Sequence, residues 1–433
     1  TLLQFGKPVV DIAVYTGDEL PRRAVLPDRL INTLPGIFGK EKVAAEKKRL
    51  TNEGEPLHTI PDGVTSSANM TTPQDWIDPL HGYAYDSFNP DALMKAKVKN
   101  KKILLPGGAS YSLLIIPDGV KNISDLLQNK IVQLKKEGAI IIGKYEKASF
   151  EEFGIAKDFS VTENNSIADS IAWNHRTNNS ATDIYFVSNQ KNTSRTIDVS
   201  LRKNGYLPEL WDAVSNTIYS VRYWDIHKKR TDIRLKLEPN ASVFIVFRKK
   251  TSLTQNPFIE GSKTMRSPTT LKGHWTVIFN SENGGPASSV SFDSLQDWSK
   301  NFDPQIKYYS GTAIYKKNFL LDTATIGRPL KLNIGEVNNI ATIKVNGIDC
   351  GTVWTYPYQV DITKAVKMGK NDLTIEVTNT WANRLIGDHL LPEKERITST
   401  VAPYRLEGKP LLKAGLIGPV KIIYGHDIER RFL

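Results

Sequence analysis

A change of hydrophobic period near residue 158 constrains this chain more than any other feature. Before it, Val9–Tyr15 (VVDIAVY), Tyr111–Pro117 (YSLLIIP) and Ala139–Gly143 (AIIIG) are near-continuous apolar runs. Such runs mark strands buried on both faces. Between the last two, Leu126, Leu127, Ile131 and Leu134 fall at helical spacing, and Gly138 stands where a glycine ends a helix. Strand, helix and strand joined by short loops predict a βαβ unit and a parallel sheet. Pro21–Ile77, with several prolines and glycines and little periodicity, reads as a long insertion with short helices.

Beyond residue 158 the segments are short, alternating, and rich in β-branched and aromatic residues. Asp183–Asn189, Thr196–Leu201, Ile218–Trp224 and Ala241–Arg248 predict a β-sandwich. Lys249–Pro268 is polar and reads as a linker. Trp275–Phe279, Ser310–Leu320, Leu330–Ile334, Ile340–Val345, Asp372–Thr378 and Val420–Tyr424 are further strand candidates, and Asn346-Gly347 is a strong hairpin signal. The expected architecture is an α/β domain over 1–158, an Ig-like sandwich over 159–265 and a jelly roll over 266–433.

The net charge of +11 comes from 57 basic and 46 acidic residues. They are interspersed, and the densest run, Lys40–Arg49, alternates in sign like a solvated helix face. No basic stripe carries interleaved aromatics, so nucleic acid is not expected as a partner. Weak attraction to acidic polysaccharide is the most that the charge supports. A single cysteine, Cys350, rules out a disulfide framework and a cysteine-based zinc site. No apolar run reaches the ~20 residues of a membrane span. No signal peptide is visible, and a chain beginning at Thr1 is expected to be processed or cut from a longer protein. The seven histidines show no metal-binding spacing, and Gly107-Gly108 lacks the context of a nucleotide loop.

Several motifs carry a resemblance. Gly335–Val345 (GEVNNIATIKV), Asn346-Gly347, Trp354–Tyr358 (WTYPY) and Val360–Thr363 (VDIT) resemble the sugar-binding, galactose-binding-like jelly roll of glycoside hydrolase family 2. Val377–Asp388 (VTNTWANRLIGD), His175-Arg176 followed by Asp183–Asn189 (DIYFVSN), and Pro208–Asp212 (PELWD) resemble the C-terminal part of family 106 α-L-rhamnosidases. Leu105–Gly108 with Tyr111–Pro117 is similar to their α/β domain, itself like the flavodoxin-like trimerisation domain of some β-galactosidases. The resemblance implies a role on rhamnose-containing plant glycan, in an extracytoplasmic compartment such as the periplasm. It also places catalysis on a barrel that precedes the α/β domain. A barrel needs roughly 250 residues, and only about 158 precede the first sandwich, so no catalytic residue is assigned here. The missing N-terminal barrel is expected on a longer chain, or the gene encodes a barrel-less relative.

Candidate site residues follow. Trp354, Tyr356 and Tyr358 offer rings for the apolar faces of sugars, and Trp381, Asn383, Arg384, Asp388 and His389 add a ring, donors and acceptors. The alternative is that Trp381 fills the core and Arg384 pairs with Asp388 at helical spacing. His175 and Arg176 serve either a domain interface or the completion of a neighbouring site. Glu209 and Asp212 flank Trp211, with Asp183 nearby. They are expected to cap loops around a tryptophan packed between the sheets rather than to act as a glycosidase pair. Jelly rolls of this kind commonly hold a structural calcium, but no acidic loop marks one, so no cofactor or metal is expected. An oligomer assembled through the α/β domain is a further reading.

Overall fold

The computed structural model describes residues 2–17, 25–51, 77–118, 120, 123–178, 182–256, 267–322, 327–400 and 408–424. Two compact units divide the chain, Thr1–Ile259 and Glu260–Arg431.

The first unit opens with a four-stranded sheet built from β1 (Ile12–Tyr15), β2 (Tyr85–Phe88), β3 (Leu113–Ile115) and β4 (Ile141–Ile142), in the order β2-β1-β3-β4. Every pairing is parallel: Ile12 lies opposite Tyr85 on one side and Leu113 on the other, and Leu114 lies opposite Ile141. Successive residues of β1 enter different cores. Ile12 and Val14 pack with Leu30, Leu113 and Phe150, whereas Ala13 and Tyr15 pack with Phe88, Leu114 and Leu134. Burial on both faces is why these runs are continuously apolar. The helices Val25–Thr33 and Lys40–Thr51 occupy part of the expected insertion, and residues 52–76 of it lie outside the described residues.

The predicted crossover helix spans Asp125–Lys136. Ser124 caps it by accepting from the Leu127 amide, and Asp125 and Lys135 complement its dipole. Its buried stripe runs through Leu127 and Leu134 with Ile131 partly covered; Leu126, counted in that stripe from sequence spacing, is 65% exposed. A residue adjacent to 127 points about 100° away from it, and the core claims only one of the two.

Two antiparallel sheets follow within the same unit. One contains β5 (Phe159–Glu163), β8 (Arg195–Leu201), β12 (Arg230–Leu237) and β11 (Trp224–His227). The other contains β6 (Ile171–Thr177), β7 (Asp183–Asn189), β13 (Ser242–Lys250), β9 (Tyr206–Asp212) and β10 (Thr217–Ser220). Their inner faces share Phe159, Tyr185, Val187, Ile197, Leu235 and Ile245. The outer face of the second sheet is also covered: Ile184, Phe186, Phe244 and Val246 meet Leu2 and Phe5 from the chain start. Trp211 packs on that outer face, not between the sheets as expected. Its indole N–H donates to Glu209 and the Arg248 guanidinium lies over its ring at 5.1 Å.

The second unit is a β-sandwich. Its larger sheet runs β15 (Val290–Phe292), β14 (Trp275–Ile278), β16 (Thr312–Leu321), β22 (Gly369–Thr378), β19 (Ile340–Val345) and β20 (Ile348–Val353). A smaller one holds β24 (Lys421–Tyr424), β17 (Leu330–Asn333) and β21 (Gln359–Asp361), and β18 (Glu336–Asn338) pairs with β23 (Gly415–Gly418). The expected hairpin turns at Asn346 (φ 52) and Gly347 (φ 79), the two positive values of a type I′ turn, and brings Val345 opposite Ile348. The core is aromatic: Trp275, Trp298, Tyr309 and Tyr315 are essentially inaccessible. The Trp298 indole donates to the Tyr315 hydroxyl at 2.7 Å, and that oxygen also accepts the Leu416 amide at 3.2 Å. The polar atoms of Trp298 and Tyr315 are therefore paired rather than stranded.

Candidate functional site

The hairpin β19–β20 leads into the aromatic loop 354–358. Trp354 is 62% exposed. Tyr356 and Tyr358 pack with tilted rings 4.7 Å apart, half-buried, and Tyr358 is held at φ 46 by its amide donating to the Thr355 carbonyl and its carbonyl accepting the Ile334 amide. A bulky residue in the left-handed region is strained and needs such fixing. Burial, with the Tyr356 phenol and the Glu336 carboxylate nearby, pushes the Tyr358 hydroxyl up. Glu336 pairs with Lys413 at 3.0 Å, and Lys413 is within electrostatic reach of Tyr356. Two tyrosines and an ion pair thus gather in the loop region that also carries the exposed Trp354; sequence reasoning missed Glu336 and Lys413 because neither lies in the loop.

The second cluster rides on the helix Ala382–His389, hereafter the rim helix. Gly387 lets it lie flat on Tyr308, where a Cβ would come within 2.6 Å of the ring. That close approach offsets the poor helix propensity of glycine. Trp381, at the cap position, is 51% exposed and does not fill the core as one reading held. Asn383 is buried and exchanges two hydrogen bonds with the Leu412 backbone, at 2.7 and 2.8 Å, so its amide is spent on holding 408–414 in place. Arg384 and Asp388 do pair, with Nε and Oδ1 3.1 Å apart, but both are buried rather than exposed on a helix face. The alignment is too poor for a directed hydrogen bond between those two atoms. Asp388 Oδ2 instead accepts the Ile397 and Thr398 amides and the Thr398 hydroxyl. His389 is exposed.

His175 and Arg176 lie in the first unit on β6. Arg176 donates from Nε to the Phe5 carbonyl and from Nη2 to that of Gly6, which ties down the chain start. His175 is 5% exposed and touches no open surface. Its Nδ1 lies 2.8 Å from Asp158 and its Nε2 3.0 Å from Asp183, and its ring stacks on Tyr185, its cross-strand partner, at 3.8 Å. Both partners are carboxylates that only accept, so both ring nitrogens carry protons. Burial opposes that charge, yet the two carboxylates outweigh it and the His175 pKa is raised. Around it Tyr185 donates to Asp158 at 2.8 Å, Arg202 binds Asp11 at 2.6 Å and reaches Asp158 at 3.4 Å, and Lys203 pairs with Asp183. Three carboxylates face three cations. Asp11 precedes β1 and Asp158 precedes β5, so the network fastens the parallel sheet to the sandwich. Asp158, Tyr185 and Arg202 are members of this network that sequence spacing did not reveal.

Glu209 is not built for acid catalysis. Burial would raise it, but Arg248, Lys249 and the Trp211 indole bind it and pull its pKa down to about 2. A general acid needs the opposite shift. Asp212 accepts the Val214 amide and the Ser215 hydroxyl, capping a turn. Among the described residues no group of three or more His, Cys, Asp or Glu side chains gathers to hold a metal, and no helix is long and apolar enough to cross a membrane.

These features define a class: mostly β and sandwich-built, with a small parallel sheet ahead of the sandwiches. The glycosyl hydrolase 2 galactose-binding domain-like family matches residues 298–400, and the glycosyl hydrolase 106 family of α-L-rhamnosidases matches residues 146–225. The rhamnosidase of Novosphingobium sp. PP1Y has a similar structure, with TM-score 0.71 and 28% identity over 98% of this chain and 40% of that one. A Formosa agariphila protein named as a beta-glucuronidase is 36% identical over 185 residues, which is 37% of this chain and 16% of the relative. The chain thus resembles family 106 rhamnosidases, and spans well under half the length of these relatives.

Proposed function

We propose that this chain is a carbohydrate-facing accessory region of a longer, α-L-rhamnosidase-like glycosidase that acts on rhamnose-containing plant polysaccharide outside the cytoplasm. The observation that carries the reading is the match of 98% of the chain to two fifths of a rhamnosidase. In this reading the division is 1–158, 159–265 and 266–433. The first part, flavodoxin-like and akin to the trimerisation domain of β-galactosidases, is where copies would assemble. The sugar surface in this reading is drawn from the loop of Trp354, Tyr356 and Tyr358 and from Trp381 and His389, while Asn383 and Asp388 hold the rim helix to its neighbouring loops. Exposed indoles stack on sugar C–H faces, and the Glu336–Lys413 pair supplies acceptor and donor for hydroxyls. The reading calls on no cofactor, and hydrolysis belongs to a barrel outside this sequence.

Titration calorimetry with rhamnogalacturonan oligosaccharides tests it. Binding at micromolar to millimolar affinity, lost in Trp354→Ala with an unchanged melting curve, is expected. Hydrolysis of an aryl rhamnoside by this chain alone, abolished by a substitution within it, overturns the accessory role.

A further inference from the structure

We infer that the Arg384 guanidinium is a receptor for a carboxylate, specifically the uronate group of an acidic sugar. The inference deepens the carbohydrate reading and rests on it. Arg384 is 5% exposed, and its backbone N–H is satisfied by Ser310 Oγ at 3.1 Å. Its side chain is not satisfied. Nε faces Asp388 Oδ1 without a directed bond, and among the described residues neither Nη atom makes a hydrogen bond. Asp388 is occupied elsewhere, since three donors of Ile397 and Thr398 converge on its other oxygen. A buried arginine donor such as this Nε is rarely left without a hydrogen bond, because desolvation without a partner is costly. A planar pair of Nη donors fits the two oxygens of a carboxylate.

The surroundings keep that fork open. Gly284 sits beside it at φ 75, and a Cβ there would lie 2.8 Å from Nη1 and 2.3 Å from Ile397 Cδ1. Any side chain at 284 would fill the space in front of the guanidinium. Trp381 lies three residues before Arg384, on the same face of the rim helix, and is half exposed. An exposed ring three residues from a guanidinium whose Nη donors make no hydrogen bond among the described residues matches a uronic acid, which presents an apolar ring face and a carboxylate together. A neutral hexose would use the ring and leave the fork empty. The chain's charge of +11 adds long-range attraction for an acidic glycan.

The test compares oligogalacturonate with the same oligomer methyl-esterified, by calorimetry and by the Arg384 Nε–H resonance of the labelled protein. The acid is expected to bind at least tenfold tighter and to shift that resonance. Arg384→Lys, which keeps the charge and removes the fork, is expected to abolish the preference, and Trp381→Ala to weaken both ligands. Gly284→Ala, which retains Arg384 and crowds it, is expected to reduce acid binding alone. Equal binding of acid and ester by the unmodified protein, or an unmoved resonance, overturns the inference even if no variant folds. Trp354→Ala separates the two readings: neutral glycan lost in that variant, with no acid preference in the parent, leaves the accessory role standing and removes the Arg384 site.

Discussion

Replacing His175 by Gln should weaken the first unit in a pH-dependent way. Gln retains one hydrogen bond and removes the positive charge, so Asp11, Asp158 and Asp183 then face only Arg202 and Lys203. Breaking a buried pair costs about 3–5 kcal/mol. The lower end is expected, because Asp158 keeps Tyr185 and Arg202 and Asp183 keeps Lys203. The His175 pKa is raised on folding, so its contribution is complete below the unfolded value of about 6.5 and is lost as pH rises through the folded value. In that window the parent should lose about 1.4 kcal/mol per pH unit. Asp158 and Asp183 move the other way. Burial raises each, His175 and the other cations more than compensate, and both are held below the usual range, so their contribution fades as pH falls below about 3.9. Urea unfolding followed by near-ultraviolet circular dichroism, from pH 5.5 to 9, measures this. The parent should decline above pH 6.5, whereas the variant starts lower and lacks that step. Parallel pH profiles for the two proteins would refute a charged, doubly paired imidazole.

Tyr315→Phe should destabilise the second unit by about 1–3 kcal/mol for each donor it strands, the Trp298 indole and the Leu416 amide, read from the urea midpoint of that unit. Asn383→Ala should cost about 1–3 kcal/mol and speed amide exchange at Leu412, whose N–H and C=O both lose their partner. Gly387→Ala should cost about 1–3 kcal/mol by lifting the rim helix off Tyr308, seen as a changed ring environment in the aromatic spectrum.

Strand content was legible because period follows burial. β1 is continuous because both faces are buried, and β8 alternates because one is. The Asn346-Gly347 turn was legible because few sequences tolerate two successive positive φ values. Side-chain destinations were not. Trp211 and Trp298 are the same residue type in strand-rich context, yet one lies on an outer face and the other is sealed in a core. The chain start folds back through Leu2 and Phe5 onto that outer face, a contact across some two hundred positions that no local pattern encodes.

The rim helix makes the same point for charge. Four-residue spacing said that Arg384 and Asp388 can meet, and they do. It could not say that loop 397–398 would claim Asp388 from the far side and leave the guanidinium with donors to spare. The His175 network shows the opposite outcome. There Asp158 and Asp183 each meet more than one donor and each ring nitrogen has a partner, so the charges close on themselves and fasten two layers. A closed network has nothing left to offer a ligand, whereas an arginine short of partners does. That difference in satisfaction, more than residue type or spacing, separates the closed network around His175 from the receptor role proposed for Arg384.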